Sequence, residues 1–294
     1  MSTEFALPAL ARIRNWRWIG PWLQLSPAAI IYAIFFLAPV AILVTYSFYT
    51  FREYNFDSDL TFANYKYALT NEVFRTLFLR TIKIATIVSA LVVLLAYPFA
   101  WILTFVLPKH RQILYFLVVL SLFGGYLVRI YAWRTMLGRE GLINTTLISI
   151  GLIDEPVRFL LNSQYAIVVV MVNFLLPLGV LPIYNAMQNV SPKLIDAARD
   201  LGSGPGHILR RIVIPLTMRG VVTAVAFSFI ATAAEWVTPL LVGGTGDQMV
   251  GNEISYQFGT AINWPLGAAL AITLIVAVIA FVGFIFGLLR LVIK

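Results

Sequence analysis

Six runs of about twenty apolar residues constrain this chain more than any other feature, because each is long enough to cross the hydrocarbon core of a bilayer as a helix. They fall at 27–49, 82–107, 113–137, 165–187, 221–242 and 266–293. In lipid every backbone N–H and C=O must be satisfied within the segment, so the runs are read as helices. The expected fold class is an all-α integral membrane protein with six transmembrane helices. Only 12% of the residues are charged, half of the ~25% usual in soluble domains, which leaves little for a solvated surface. The first run carries Pro27 and Pro39, is too long for a signal-peptide core and is followed by no small-residue cleavage site, so it is expected to stay as an anchor. The third run holds Arg129 and Arg134 and is the weakest by hydropathy.

A net charge of +8 would suit a nucleic-acid partner, but the placement of the basic residues argues for membrane orientation instead. With the N-terminus inside, 12 lysines and arginines lie on the cytoplasmic side and 7 outside, while the acids run the other way. Both termini are therefore expected in the cytoplasm. The leader, 1–26, mixes Arg12, Arg14 and Arg17 with Trp16, Trp18 and Trp22, which suits either the lipid headgroup layer or a solvated tail. Then follow the first span at 27–50, an extracytoplasmic segment at 51–81, and a core domain of five spans at 82–294. Apolar residues at helical spacing between Leu60 and Arg80 predict a helix along the outer surface. The outside loop 138–164, with turn residues at Gly141, Asn144, Gly151 and Pro156, reads as a short re-entrant or surface hairpin of helices.

The longest cytoplasmic loop, 191–215, has legible local physics. Ser191 can cap a helix opened by Pro192, a residue with no amide proton to orphan. Leu194, Ala197, Ala198 and Leu201 form an apolar face, and Gly202 can end the helix in the left-handed conformation. Pro205 can open a second short helix running to Pro215. An apolar helical face in water implies a protein partner.

Asp196-Ala-Ala, then Gly202, Ile212 and Ile214-Pro215 resemble the EAA loop of binding-protein-dependent permeases, whose pattern is Glu-Ala-Ala, three residues, Gly, nine residues, Ile, one residue, Leu-Pro. The spacing matches throughout. Two positions depart, Asp196 for glutamate and Ile214 for leucine. Further motifs resemble the polyamine-type (spermidine/putrescine) permeases of the same family: Tyr97-Pro-Phe-Ala-Trp101, Arg129-Ile-Tyr-Ala-Trp133, Gly141-Leu-Ile-Asn144, Glu235-Trp-Val-Thr-Pro239, Gly251-Asn252 and Trp264-Pro265. The resemblance implies the type I importer permease fold with a cytoplasmic coupling helix. It makes Asp196, Ala197, Ala198, Gly202, Ile212 and Pro215 the residues that couple the chain to a cytoplasmic ATPase dimer. It also implies a second, different permease subunit, an extracytoplasmic substrate-binding protein and the bacterial inner membrane as surroundings.

Arg129 lies sixteen residues, about 24 Å, above the cytoplasmic start of the third run, and Glu235 fourteen residues, about 21 Å, up the fifth. Charges at such depth need partners, so they are read as an ion pair, as substrate contacts or as links to the second permease. Tyr131, Arg134 and Trp236 join them as candidate translocation-path residues. Glu235, Trp236 and Tyr131 would suit a polyamine, whereas the arginines would suit a carboxylate-bearing amino compound such as an amino acid or opine. Pro98, Pro177, Pro182 and Pro239 are read as packing kinks or as hinges for alternating access.

With no cysteine and two histidines, the chain has little material for a metal site or acid–base catalysis. It also lacks the Gly-x-x-x-x-Gly-Lys-Ser/Thr phosphate loop, so ATP is expected on a separate subunit. An ion-coupled secondary transporter is the rival class, although it would need no coupling loop.

Overall fold

A computed structural model describes residues 24–52, 55–57 and 59–292. The leader's arginines and tryptophans and Lys294 lie outside the described residues. The chain runs as α1 (Gln24–Tyr46), an antiparallel hairpin of β1 (Thr50–Arg52) and β2 (Asn55–Asp57) with Phe51 opposite Phe56, α2 (Ala63–Thr70) and α3 (Glu72–Val106). Next come α4 (Arg111–Leu122), α5 (Tyr126–Leu137), α6 (Leu142–Ser149), α7 (Gln164–Gln188) and α8 (Pro192–Asp200). The remaining helices are α9 (Pro205–Ala233), α10 (Val237–Val242), α11 (Val250–Gly259) and α12 (Trp264–Val292). Five of these, α1, α3, α7, α9 and α12, are long and apolar enough to cross a membrane, and α4 with the bent helical stretch Tyr126–Ser149 brings the candidates to six when that pair is counted as one span.

Several expected boundaries move. The third span is not one rod: α4 and the helical stretch from Tyr126 meet at 90°, broken at Phe123–Gly125. The fifth run is also broken, with α9 ending at Ala233 and α10 starting at Val237. Of the predicted outer-surface helix at 60–80, only α2 is separate; Glu72 onward belongs to α3, a continuous helix of 35 residues and about 52 Å that overshoots the bilayer core. Asn71 sets this boundary, its side-chain oxygen accepting the Val73 and Phe74 amides. The loop after α5 holds α6 and a single 3₁₀ turn at Arg158–Leu160 instead of a pair of helices. Buried Asn144 ties it together through the Gly138 carbonyl at 3.1 Å and the Val157 amide at 2.9 Å.

The second helix of the 191–215 loop does not stop at Pro215 but continues into the membrane as α9. A proline inside a helix lacks a donor and crowds the carbonyl four residues back, here that of Arg211. The turn Leu209–Val213 widens to π geometry, and the Ile214 amide donates to Leu209 five residues back. The same pairing recurs in α1, where the π turn Ala33–Leu37 precedes Pro39. In both helices the wide turn accommodates the proline without ending the helix.

Helices α3, α7 and α9 form the centre. Ile84, Val88 and Val92 of α3 pack with Ile167, Val170, Met171 and Leu175 of α7. Farther along, Ala96 and Ala100 meet Val180, Ile183 and Ala224. Two glycines set how closely these helices approach. A Cβ at Gly179 would sit 2.4 Å from Val92 Cγ1, and one at Gly220 would sit 2.5 Å from the Pro182 carbonyl oxygen of α7. Helix α12 joins through Phe281, stacked on Phe229 at 4.2 Å. Helix α1, in contrast, has no buried residue in its spanning window.

Candidate functional site

Helix α8 begins at Pro192 as expected, but the Ser191 side chain makes no capping bond. The predicted apolar face divides in two. Ala198, with Ile195, turns inward onto Val190, Ile208 and Val213, while Leu194, Ala197 and Leu201 point outward, Leu201 being 87% exposed. Their spacing of three and four residues makes one solvent-facing stripe. Asp196 does not wait for a distant base: it pairs with Arg199 of its own helix at 3.4 Å, both side chains largely exposed. Gly202 is left-handed at φ +80°, with its amide on Arg199 O at 2.8 Å and the Ser203 amide on Ala198 O at 3.0 Å. These two bonds are the helix ending for which glycine is favoured. Ile212 packs into the cluster under α8, and Pro215 lies exposed one turn farther along α9. Trp101 and Phe105 from the end of α3 reach the same cluster, so α8 sits against two spans at once.

The intramembrane charges lie at the two helix breaks, and the Arg129–Glu235 ion pair, one of the readings of their depth, does not form. Among the described residues the salt bridge is that of Arg199 with Asp196. Arg129 folds its guanidinium back to donate to the Ser121 carbonyl at the end of α4, where carbonyls have no helical partner. Gly124 makes the room, since a Cβ there would lie 2.9 Å from Arg129 Nη2. The cation also rests over Phe174, 5.6 Å from the ring centre. Glu235 turns the other way. Its Oε1 accepts the amides of Trp236 at 3.0 Å, Val237 at 2.7 Å and Thr238 at 3.1 Å. The two breaks adjoin, because the Tyr126 hydroxyl at the start of α5 meets Thr238 Oγ1 at 3.1 Å. Pro239, read as a possible kink, lies in the first turn of α10, where proline is tolerated. Tyr131 and Arg134 are exposed on α5, and Arg134 occupies the last turn, where a cation is favourable.

Trp236 opens onto a groove of about 400 Å³ that also takes in Leu240, Asn252, Glu253, Ser255 and Tyr256. Trp236 and Tyr256 are 43% and 52% exposed. Asn252 clamps the tryptophan backbone, its Nδ2 donating to Trp236 O at 2.7 Å while its Oδ1 accepts the Met249 amide at 3.0 Å. Glu253 Oε1 accepts from Gln257 at 2.7 Å. Sequence reading passed over Glu253 and Tyr256. Their three-residue spacing after Gly251-Asn252, which places both on one side of a helix, was the available signal.

Residues 67–289 match the family described as binding-protein-dependent transport system inner membrane component. The spermidine/putrescine transport system permease protein PotB of Haemophilus influenzae is 34% identical over 265 residues, covering 88% of this chain and 92% of that protein. Its namesake in Escherichia coli K12 is 33% identical over 242 residues, covering 82% and 87%. In fold the chain is similar to a bacterial alginate ABC transporter solved with an alginate pentasaccharide-bound periplasmic protein, with TM-score 0.74, 19% identity and coverage of 96% of this chain and 99% of that one.

Proposed function

Because the chain belongs to the family of binding-protein-dependent transport system inner membrane components, we propose that it lines the membrane path of an ATP-driven importer whose cargo is a polyamine. Members of this family are multi-pass inner-membrane permease subunits and not enzymes, and they work with a substrate-binding protein and a separate ATPase. Membership displaces the ion-coupled secondary transporter as a rival.

The observation that carries the cargo reading is the groove at Trp236, Tyr256 and Glu253. Two exposed aromatic faces and a carboxylate make the surface that an alkylammonium chain uses, through cation–π contact and charge-assisted hydrogen bonds. The relatives named for spermidine and putrescine support the same cargo class. The test is ATP-dependent uptake of radiolabelled spermidine by the complete transporter in liposomes, with Glu253→Gln expected to raise KM about tenfold. Uptake of a carboxylate-bearing amino compound with no polyamine uptake would reject the proposal. Arg134, exposed on α5, is the observation favouring that second reading.

On the same proposal the outward stripe of α8 docks on the ATPase, with Asp196, Ala197, Ala198, Gly202, Ile212 and Pro215 as the coupling set. The exposed faces of α1 and α5 meet lipid or a second, different permease subunit. Both termini then face the cytoplasm, since α8 must. The division into a leader, a first span, an extracytoplasmic segment and a five-span core belongs to this proposal as well.

A further inference from the structure

A helix start leaves its first amides without partners, and lipid offers none in their place. The start of α10 can be accounted for amide by amide. Glu235 Oε1 takes those of Trp236, Val237 and Thr238. Pro239 has none to offer. The Leu240 amide closes the first helical bond onto Trp236 O at 3.3 Å. One carboxylate oxygen and one proline thus satisfy the whole start of the helix.

We infer that Glu235 is a positioning residue: it holds the break between α9 and α10 and thereby sets Trp236 at the groove, without binding cargo and without pairing with Arg129. Three further observations fit that role. The same break is gripped from α11, where Asn252 holds Trp236 O and a Cβ at Gly251 would come within 2.7 Å of Glu235 O. The Tyr126 hydroxyl lies against Glu235 and braces α10 through Thr238. Arg129, the obvious ionic partner, is engaged at the end of α4 and over Phe174. The amides that Glu235 accepts are neutral, so what the site requires is an acceptor oxygen more than a charge. A glutamine oxygen can accept the same three hydrogens; an alanine cannot.

That the break serves transport rests on the groove reading above, whereas the capping role does not, and the experiment separates the two. The chain has no native cysteine, so Leu240→Cys, at an exposed position of the otherwise largely buried α10, gives a single reporter thiol within this chain. Its modification rate by a small methanethiosulfonate reagent, in the complete transporter, reads the order of the break directly. Adding Glu235→Gln should leave the rate within about twofold, while adding Glu235→Ala should raise it at least fivefold. Spermidine uptake, measured without the reporter cysteine because Leu240 lines the groove, should follow the same pattern, retained in Glu235→Gln and impaired, with a raised KM as Trp236 loses its place, in Glu235→Ala. Equal perturbation by glutamine and alanine would mean that the charge matters and would overturn the inference, as would an unchanged rate in Glu235→Ala. Loss of polyamine uptake as an activity, with the labelling pattern intact, would reject the cargo alone.

Discussion

The hydroxyls of Tyr126 and Thr238 meet at 3.1 Å and join the first turns of two helices that each begin at a break in a membrane span. Neither contact residue is charged, yet the pair lies between the two charges that the broken spans employ. On one side Arg129 caps the end of α4, and on the other Glu235 caps the start of α10. Thr238 is fully buried, so its hydroxyl has no water to fall back on. Tyr126→Phe and Thr238→Val should each lower the stability of the detergent-solubilised protein by about 1 kcal/mol. In combination they should cost less than their sum, since the second change removes a group already left without its partner. Thermal unfolding of the four proteins checks this, and strict additivity would mean that the bond contributes nothing.

Arg129 and Glu235 should, in contrast, act independently. Each is satisfied by backbone at its own break and no ion pair joins them. The cycle of Arg129→Gln, Glu235→Gln and the double variant is expected to be additive within about 0.5 kcal/mol in stability. A double variant clearly less defective than the sum would restore the ion pair. Gly124→Ala offers a second check on the arginine. The new methyl must displace only the far end of the flexible arginine side chain, so it should weaken the Ser121 contact at a smaller cost than Arg129→Gln.

These two residues also mark where sequence reading succeeds and where it fails. Depth in an apolar run is enough to say that Arg129 and Glu235 need partners, because the cost of burying an unpaired charge does not depend on the fold. Which partners they find depends on where the helices break, and hydropathy averaged over about twenty residues is blind to a gap of three. Gly124-Gly125 in the third run and Pro239 just beyond Glu235 were the local signals. The 191–215 loop was more legible because its features are local: a proline that opens a helix and a glycine that ends one. The division of its apolar face was not, since Leu194 and Ile195 are neighbours in the chain and only packing against Val190 and Val213 decides which turns inward.

That division gives a prediction for α8. Leu201→Asp and Leu194→Asp change the outward stripe and touch none of the cluster beneath, so the protein should insert and fold normally while losing at least tenfold in affinity for its ATPase. Ile195→Asp places a carboxylate among Val190, Ile208 and Val213 and should cost several kcal/mol, lowering folded yield before any partner is met. Co-purification of the ATPase, normalised to folded permease, distinguishes the cases. Full ATPase recovery with Leu201→Asp would remove α8 from the joint.

Gly202 supplies the most discriminating test of the coupling loop, because sterics and backbone conformation disagree there. A Cβ on Gly202 would meet nothing within 4 Å, so bulk alone is harmless in this chain. Its φ of +80° is what resists substitution. Alanine in the left-handed region costs about 1 kcal/mol, a β-branched residue more, and asparagine less, because its short polar side chain tolerates that region. The expected order of uptake relative to ATP hydrolysis is therefore glycine, asparagine, alanine, valine, which does not follow side-chain volume. If the ATPase packs directly on this corner, size will govern instead, and asparagine will be worse than alanine. Measuring uptake and hydrolysis in the same proteoliposomes separates the outcomes. The backbone account expects hydrolysis to persist in Gly202→Val while transport per ATP falls several-fold, since a displaced α8 still touches the ATPase but no longer delivers its movement to α3 and α9.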